Sequence, residues 1–481
     1  MKEKSVQRSA LINVCKTIIS LAFPLVSFSY AARILLVEGM GKYSFSGSFV
    51  NYFVLLAGLG IGDYAIREGA RLRTDRAMIN RFASEVFSIN LYSTAASYIL
   101  LLGCVFFVEK LKEYRGLILL FSLEIVLTTA SVHWVYIIFE EFSFITVVTI
   151  VMQFASIAIL LLFVREPSDL YAYIISSIVA YTGCGLIQFW YAKRYVHICF
   201  IPKPSVSHLR PIVLLFSTAL TTVIYVNSDI TLLGWMKGDY TTGLYSTAAN
   251  VYKVVKQLIN AAVLVAVPRV AYYISAHERK RLQRLVRGML DNLILLSLPC
   301  VLGVYSLSVP IVEVFAGKSY HDAYISLRIL CVALPFAVLA GFFTITILIP
   351  YRKEESVVKV SALCALVNVA MNLILIPYFA ERAAAITTVL AEIIACVISY
   401  KIAKRDVRIS ISYRNLFAVI VGCFYIYGCC ACVTKNVSSV SVQLLLSVLC
   451  SMLGFFAIQM ILRNPVFWDL MRAVVNKRDD K

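Results

Sequence analysis

The sequence predicts an all-α polytopic membrane protein: 14 transmembrane helices, arranged as two six-helix repeats plus an appended C-terminal pair. Three observations predict it. Of 481 residues, 60% are hydrophobic and only 15% are charged, against about 25% charged in ordinary soluble domains. The apolar runs are long enough to cross a bilayer, which takes roughly 20 helical residues. A short motif, GKYS at 41–44, returns as GLYS at 243–246, an offset of 202 residues. Both copies follow an apolar run ending in paired leucines and lead straight into another.

The first six spans are expected at 11–37, 44–66, 82–108, 115–138, 142–164 and 170–192. They must be helices, because a lipid-exposed backbone has to satisfy its own hydrogen bonds and these runs lack the alternation of barrel strands. The first run begins with Lys2, Lys4 and Arg8 but is no cleavable signal. It is too long, contains Lys16 and Arg33, and lacks a small-residue cleavage site. The stretch before Lys16 is a poor lipoprotein signal, so Cys15 reads as a core cysteine. Pro202, Pro204 and Pro211 then mark a semi-rigid connection. The second six follow at 212–236, 243–267, 289–315, 326–349, 356–378 and 382–403, and the extra pair at 415–434 and 441–462. The expected domains are an N-terminal lobe (1–200), a linker (201–211), a C-terminal lobe (212–408), the helix pair (409–462) and a tail (463–481). An even repeat keeps both halves in one orientation, related by an axis along the membrane normal.

Charge sets the direction of threading. With the amino terminus inside, and with Arg115, Arg382 and Lys401 at span edges counted with their adjoining loops, the inner segments carry 30 Lys and Arg and the outer loops 9, as the positive-inside rule requires. Both termini and the linker are therefore expected to be cytoplasmic. The net charge of +18 is mostly this topology signal, so nucleic acid is not an expected partner, and contact with anionic membrane lipids is unspecific.

Signals for catalysis are sparse. GKS at 317–319 lacks the glycine that a phosphate-binding loop needs at position 312, where Val312 stands. The histidines (His133, His197, His208, His277 and His321) are far apart in sequence, and no outer loop exceeds about ten residues. Cys429, Cys430 and Cys432 sit inside an apolar run without His or carboxylate neighbours and read as core packing. No enzyme, cofactor or metal is expected.

The informative residues are charges inside the spans. A charge at mid-bilayer costs on the order of 3 kcal/mol. Lys16, Arg328 and Lys359 lie near span ends and can reach water; Arg33 is intermediate. Lys253 and Lys256 lie roughly 15 and 20 Å deep at 1.5 Å per residue. With Asn250, Gln257 and Asn260 they follow spacings of three and four, which is one helical face. Thr218, Thr222, Tyr225 and Asp229 make a second polar stripe. Two readings stand: a closed bundle in which these groups pair, or a cationic cleft lined by Arg33, Asn250, Lys253, Lys256 and Asn260. Three carboxylates, Glu124, Asp229 and Glu392, are candidates for proton or sodium coupling.

Six stretches carry a resemblance: ARILLVEGMGKYSF, GLGIGDYAIREGARLR, HWVYIIFEEFSFITVVTI, FVREPSDLYAYI, LLGWMKGDYTTGLYSTAANVYKVV and NVAMNLILIPYFAERAAAITTVLAE. In this order, over roughly residues 1–400, the chain resembles the Wzx-type flippases of the polysaccharide transport family, in the multidrug/oligosaccharidyl-lipid/polysaccharide (MOP) exporter superfamily. The resemblance implies two six-helix lobes in a V with alternating access. It implies a substrate of undecaprenyl diphosphate bearing a short oligosaccharide, moved from the inner to the outer leaflet of the bacterial cytoplasmic membrane. Partners would then include a polysaccharide polymerase and glycosyltransferases. Many relatives have 12 helices, and 14 is closer to the lipid II flippases, so another lipid-linked glycan is one alternative. A multidrug exporter is a second, disfavoured because a cationic cleft repels organic cations. A membrane enzyme on the same carrier is a third, disfavoured by the short outer loops.

Overall fold

The computed structural model describes the backbone of residues 6–479 apart from 265, and the side chains of 23–472 apart from 262 and 265; Cys15 and Lys16 lie outside these side chains. The described residues are helical with turns and contain no strand. They form two compact units, Met1–Gly243 and Leu244–Lys481. The first holds α1 (Val6–Gly58), α2 (Ile61–Leu72), α3 (Arg76–Phe107), α4 (Arg115–Phe121), α5 (Leu123–Ser131), α6 (His133–Ile138), α7 (Phe142–Phe163), α8 (Leu170–Tyr181), α9 (Gly185–Ala192) and α10 (Leu209–Lys237). Helix α11 (Asp239–Leu264) leads into the second, with α12 (Val267–Ser275), α13 (Arg279–Ser306), α14 (Ser308–Ala316), α15 (Ala323–Phe343), α16 (Glu354–Ala403), α17 (Tyr413–Asn436), α18 (Val440–Ile461) and α19 (Pro465–Asp479).

Among the described residues, 11 helical stretches are long and apolar enough to cross a membrane. The difference from the expected 14 has physical causes. Two pairs of expected spans run together: α1 through Leu36, and α16 through Ala380. At 53 residues, α1 would be about 80 Å long at 1.5 Å per residue, more than twice a hydrocarbon core of about 30 Å, so its break is where two spans meet. The third case is α11, which carries Asp239, Lys253 and Lys256 and is not among the 11.

The break shows the repeat in the backbone itself. Leu36 has φ 59° and ψ −179°, and Gly238 has φ 85° and ψ −173°. They are 202 residues apart, the offset of the GxYS motif. Both occupy a region that only glycine enters without strain, so Leu36 bears about 1–3 kcal/mol that Gly238 avoids. The motif glycines interlock reciprocally. A Cβ on Gly41 would run into the Asp239 backbone, and one on Gly243 into the Val37 carbonyl. Each glycine therefore lies on backbone four residues ahead of the other. The motif tyrosines match as well. In the first unit the Tyr43 hydroxyl donates to Ser177 Oγ on α8 at 2.9 Å. In the second, Tyr245 shares a 3.3 Å hydrogen bond with Thr388 on α16. Each contact joins the second span of a repeat to its sixth.

Inside the first unit, hydroxyls and amides join apolar helices, as expected where lipid offers no polar partner. Asn90 Nδ2 and Ser93 Oγ donate to the Ala57 carbonyl at 2.7 and 2.5 Å, and Ser97 Oγ to that of Phe53 at 2.6 Å, tying α3 to α1. The connection after α9 is laid along α3. Backbone N–H groups of His197, Cys199 and Ile201 donate to Asn80, Ser84 and Ser88 at 2.9, 3.0 and 2.8 Å. Four helical residues rise about 6.0 Å and two extended residues about 6.6 Å, so the registers stay matched over three contacts. At its end His208 lies between Glu85 (2.8 Å) and the Tyr64 hydroxyl (2.7 Å).

In the second unit the appended pair, α17 and α18, is held to α13 by a buried polar network. Asp291 accepts from the Ser412 N–H at 2.8 Å. Asn415 donates to the Asp291 carbonyl at 2.9 Å, Asn464 to Asn415 and Gln459 at 2.8 and 2.7 Å, and Gln459 to the Ala418 carbonyl at 3.0 Å. Gly422 lies against Phe455, and Gly454 against the ring of Tyr425; small residues let the two helices close. Four helices end in one shape, with Glu140, His277, Arg352 and Arg463 at positive φ. The following N–H of each bonds back to a carbonyl five residues earlier, as in Glu141 to Tyr136 at 2.8 Å and Lys353 to Leu348 at 2.9 Å.

Candidate functional site

One ion pair inside the spans joins two expected site residues from different groups. Lys256 Nζ on α11 lies 2.6 Å from Glu392 Oε1 on α16. The Tyr252 hydroxyl donates to the same oxygen at 3.1 Å, and the ammonium stands 5.7 Å from the Tyr252 ring centroid. One helical turn brings Tyr252 and Lys256 to one face. The side chains differ in exposure, 27% for Lys256 and 5% for Glu392.

Asn250 and Lys253 are half-buried. Asn260 turns toward α15, its amide oxygen 3.4 Å from where a Cβ on Gly341 would stand, and that oxygen accepts no hydrogen bond from the described residues. Arg33 is exposed, three residues before the break in α1. Asp229 is buried on α10 beside a hydroxyl cluster: Ser48 Oγ donates to the Asn227 carbonyl at 3.0 Å, and Thr231 lies 2.8 Å from Ser48 and 3.3 Å from the Tyr52 hydroxyl. Asp229 and Tyr52 are near enough to interact electrostatically. Glu124, on α5, stands in the same relation to Tyr43 and Tyr181.

Arg328, expected to reach for water, is half-buried and packs between rings: its guanidinium is 4.9 Å from the Tyr324 centroid and 5.5 Å from that of Tyr305, and it donates to Ser308 at 2.8 Å. Lys359 is exposed beside Glu355 at 2.7 Å. At the join of α10 and α11, the Tyr114 hydroxyl donates to Asp239 at 2.7 Å. Burial raises the Asp239 carboxyl above its usual range, while Tyr114 and Lys42 pull it back. Asp169, before α8, is held below its usual range by the N–H groups of Arg165 and Glu166, both at 2.9 Å.

Sequence reasoning missed two features. One is an amide–hydroxyl cluster on α16, with Asn372 donating to Asn368 at 3.1 Å and Thr387 to Asn372 at 2.7 Å. Its signal was present: two asparagines four apart in an otherwise apolar run. The other is a cavity of about 490 Å³ lined by Leu293, Leu296, Phe455, Phe456, Leu470 and Met471. No local pattern marks it, because its walls come from α11, α13, α18 and α19.

The result is a doubled helical membrane fold with charges paired inside it. The solved structures agree on that fold. A lipid II flippase MurJ, in an inward closed conformation, superposes with a TM-score of 0.75 at 14% identity, covering 96% of this chain and 100% of that one. A multidrug resistance MATE family transporter of the MOP superfamily, inward-facing, gives 0.64 at 14% identity, over 82% and 97%. A putative O-antigen transporter of Shigella dysenteriae is 21% identical over 388 residues, 79% of this chain and 96% of the relative. The family model for polysaccharide biosynthesis proteins matches residues 6–274, and that for lipid II flippase MurJ residues 240–453. The chain belongs to the polysaccharide biosynthesis protein family, as a Wzx-type flippase of the MOP exporter superfamily.

Proposed function

We propose that this multi-pass membrane protein moves an oligosaccharide repeat unit linked to undecaprenyl diphosphate from the inner to the outer leaflet of the bacterial cytoplasmic membrane, coupled to an ion. The observation that carries the reading is Lys256, a half-buried cation within α11 paired with Glu392 at 2.6 Å. A diphosphate bearing sugars cannot cross hydrocarbon unaided, because unpaired polar groups there are very costly. A membrane-embedded lysine supplies the counter-charge on the way. The apolar cavity beside α18 fits a hydrocarbon chain, and the tail can stay in the bilayer while the head moves. Arg33, Asn250, Lys253 and Asn260 are the further substrate contacts in this reading.

Coupling requires a group whose affinity for the ion differs between two states. Asp229 is the first candidate, buried on α10 and within electrostatic reach of Tyr52, with Glu124 and Glu392 as the others. One charge moved down 100 mV yields about 2.3 kcal/mol. Asp229→Asn is expected to slow flipping and to flatten its dependence on an imposed proton or sodium gradient. The assay is translocation of undecaprenyl-diphosphate-linked oligosaccharide in proteoliposomes. No flipping by the wild type refutes the function, and an Asn variant that follows the gradient like wild type moves the coupling site to Glu124.

The match of residues 240–453 to the lipid II flippase model favours a second reading, a peptidoglycan precursor as cargo. Offering both lipids to the same proteoliposomes separates the two. For topology, cysteines placed at Ser207 and Lys477 are expected to resist an impermeant thiol reagent in intact cells and to react after permeabilisation. Labelling of either in intact cells refutes cytoplasmic termini and linker.

A further inference from the structure

We propose that Glu392 is a built-in competitor for the diphosphate: it holds the Lys256 ammonium in the empty carrier, is displaced when an isoprenoid diphosphate binds, and reclaims the lysine to drive release. The inference rests on the flippase reading and deepens it. Glu392 then sets the strength of substrate binding, which differs from a role as an ion site.

Three features carry it. The first is the asymmetry of the pair. Glu392 is buried on α16 while Lys256 keeps 27% exposure. The lysine stem is flexible, so the ammonium can turn outward without moving a helix. The second is Tyr252. Its hydroxyl bonds Glu392 at 3.1 Å independently of the lysine, so the carboxylate keeps a donor after Lys256 leaves. Its ring lies 5.7 Å from the ammonium and lends a cation–π attraction as the charge moves. The third is the neighbourhood. The thiols of Cys364 and Cys396 on α16 also lie within electrostatic reach of Glu392. The one charged residue of α15, Arg328, is engaged by Ser308. Lys256 is bonded to Glu392 at 2.6 Å, and a phosphate that takes it must outbid that carboxylate. A carrier has to let go as well as bind, and a resident anion lowers affinity where an unopposed lysine would retain the cargo.

The purified full-length protein is titrated with farnesyl diphosphate, a soluble isoprenoid diphosphate, and flipping is measured in parallel. Glu392→Gln is expected to bind farnesyl diphosphate about tenfold tighter and to flip more slowly, because release is retarded. Lys256→Ala is expected to bind it at least about tenfold more weakly. Tyr252→Phe, which keeps the ion pair, is expected to weaken binding severalfold, because the displaced carboxylate loses its remaining donor. Inorganic pyrophosphate is expected to compete, and farnesol and phosphatidylglycerol are not. Equal or weaker binding by Glu392→Gln at wild-type thermal stability overturns the proposal. Should that variant not fold, unchanged binding by Tyr252→Phe overturns it instead. A wild type that binds farnesyl diphosphate no better than farnesol, with no response to Lys256→Ala, sinks the flippase reading itself and is told apart by that pattern.

Discussion

Lys256→Ala is expected to abolish flipping and to lower the amount of folded protein together. Removing one partner of a buried ion pair leaves the other charge without compensation, at about 3–5 kcal/mol. The lower end applies here, because Lys256 keeps some exposure and Tyr252 still donates to Glu392. The two losses can be separated. Lys256→Met combined with Glu392→Gln removes both charges, so it is expected to restore abundance but not flipping. Lys256→Arg keeps the charge and is expected to retain part of both. The measurements are membrane abundance by immunoblot, melting by size exclusion after heating, and flipping in proteoliposomes. A double variant that flips at the wild-type rate would show that Lys256 serves the fold alone.

The second large effect concerns the motif glycines. Gly41→Ala is expected to destabilise the protein by about 3 kcal/mol or more. The new Cβ meets the carbonyl, carbon and Cα of Asp239. All three are backbone atoms, so no rotamer change relieves the overlap, and the join of α10 and α11 must move. Gly243→Ala meets the Val37 carbonyl in the reciprocal position and is expected to behave alike. Gly58→Ala is the control, since a Cβ there meets nothing within 4 Å. Thermal melting of the three variants checks this. A Gly41→Ala protein that melts with the control would mean that the interlock bears no load.

Much of this protein is legible in its sequence, for a reason particular to its solvent. Hydrocarbon satisfies no backbone hydrogen bond, so each apolar run long enough to span is obliged to be a helix whatever its neighbours do. The helical class and the doubled plan follow from such local information, and so does the flippase resemblance. GKYS and GLYS marked the repeat before any geometry, and the matching backbone at Leu36 and Gly238 shows that the echo is structural. The unusual charges were also visible one at a time: Lys253, Lys256, Asp229, Glu124 and Glu392 stand out because each is costly where it lies.

What each charge faces could not be read. Lys256 and Glu392 are 136 residues apart in sequence, and their meeting depends on how α11 and α16 are rotated. Helical periodicity names a face but not the neighbour it turns to. Thus one stripe on α11 delivers Lys256 to α16 and Asn260 toward α15. The same holds for the clasp of Asp291, Asn415, Gln459 and Asn464 and for the linker register along Asn80, Ser84 and Ser88. Composition determined which segments enter the membrane and in what order. Only packing decided which polar groups meet there, because each must find its partner on another helix, and that choice is made by the whole bundle at once.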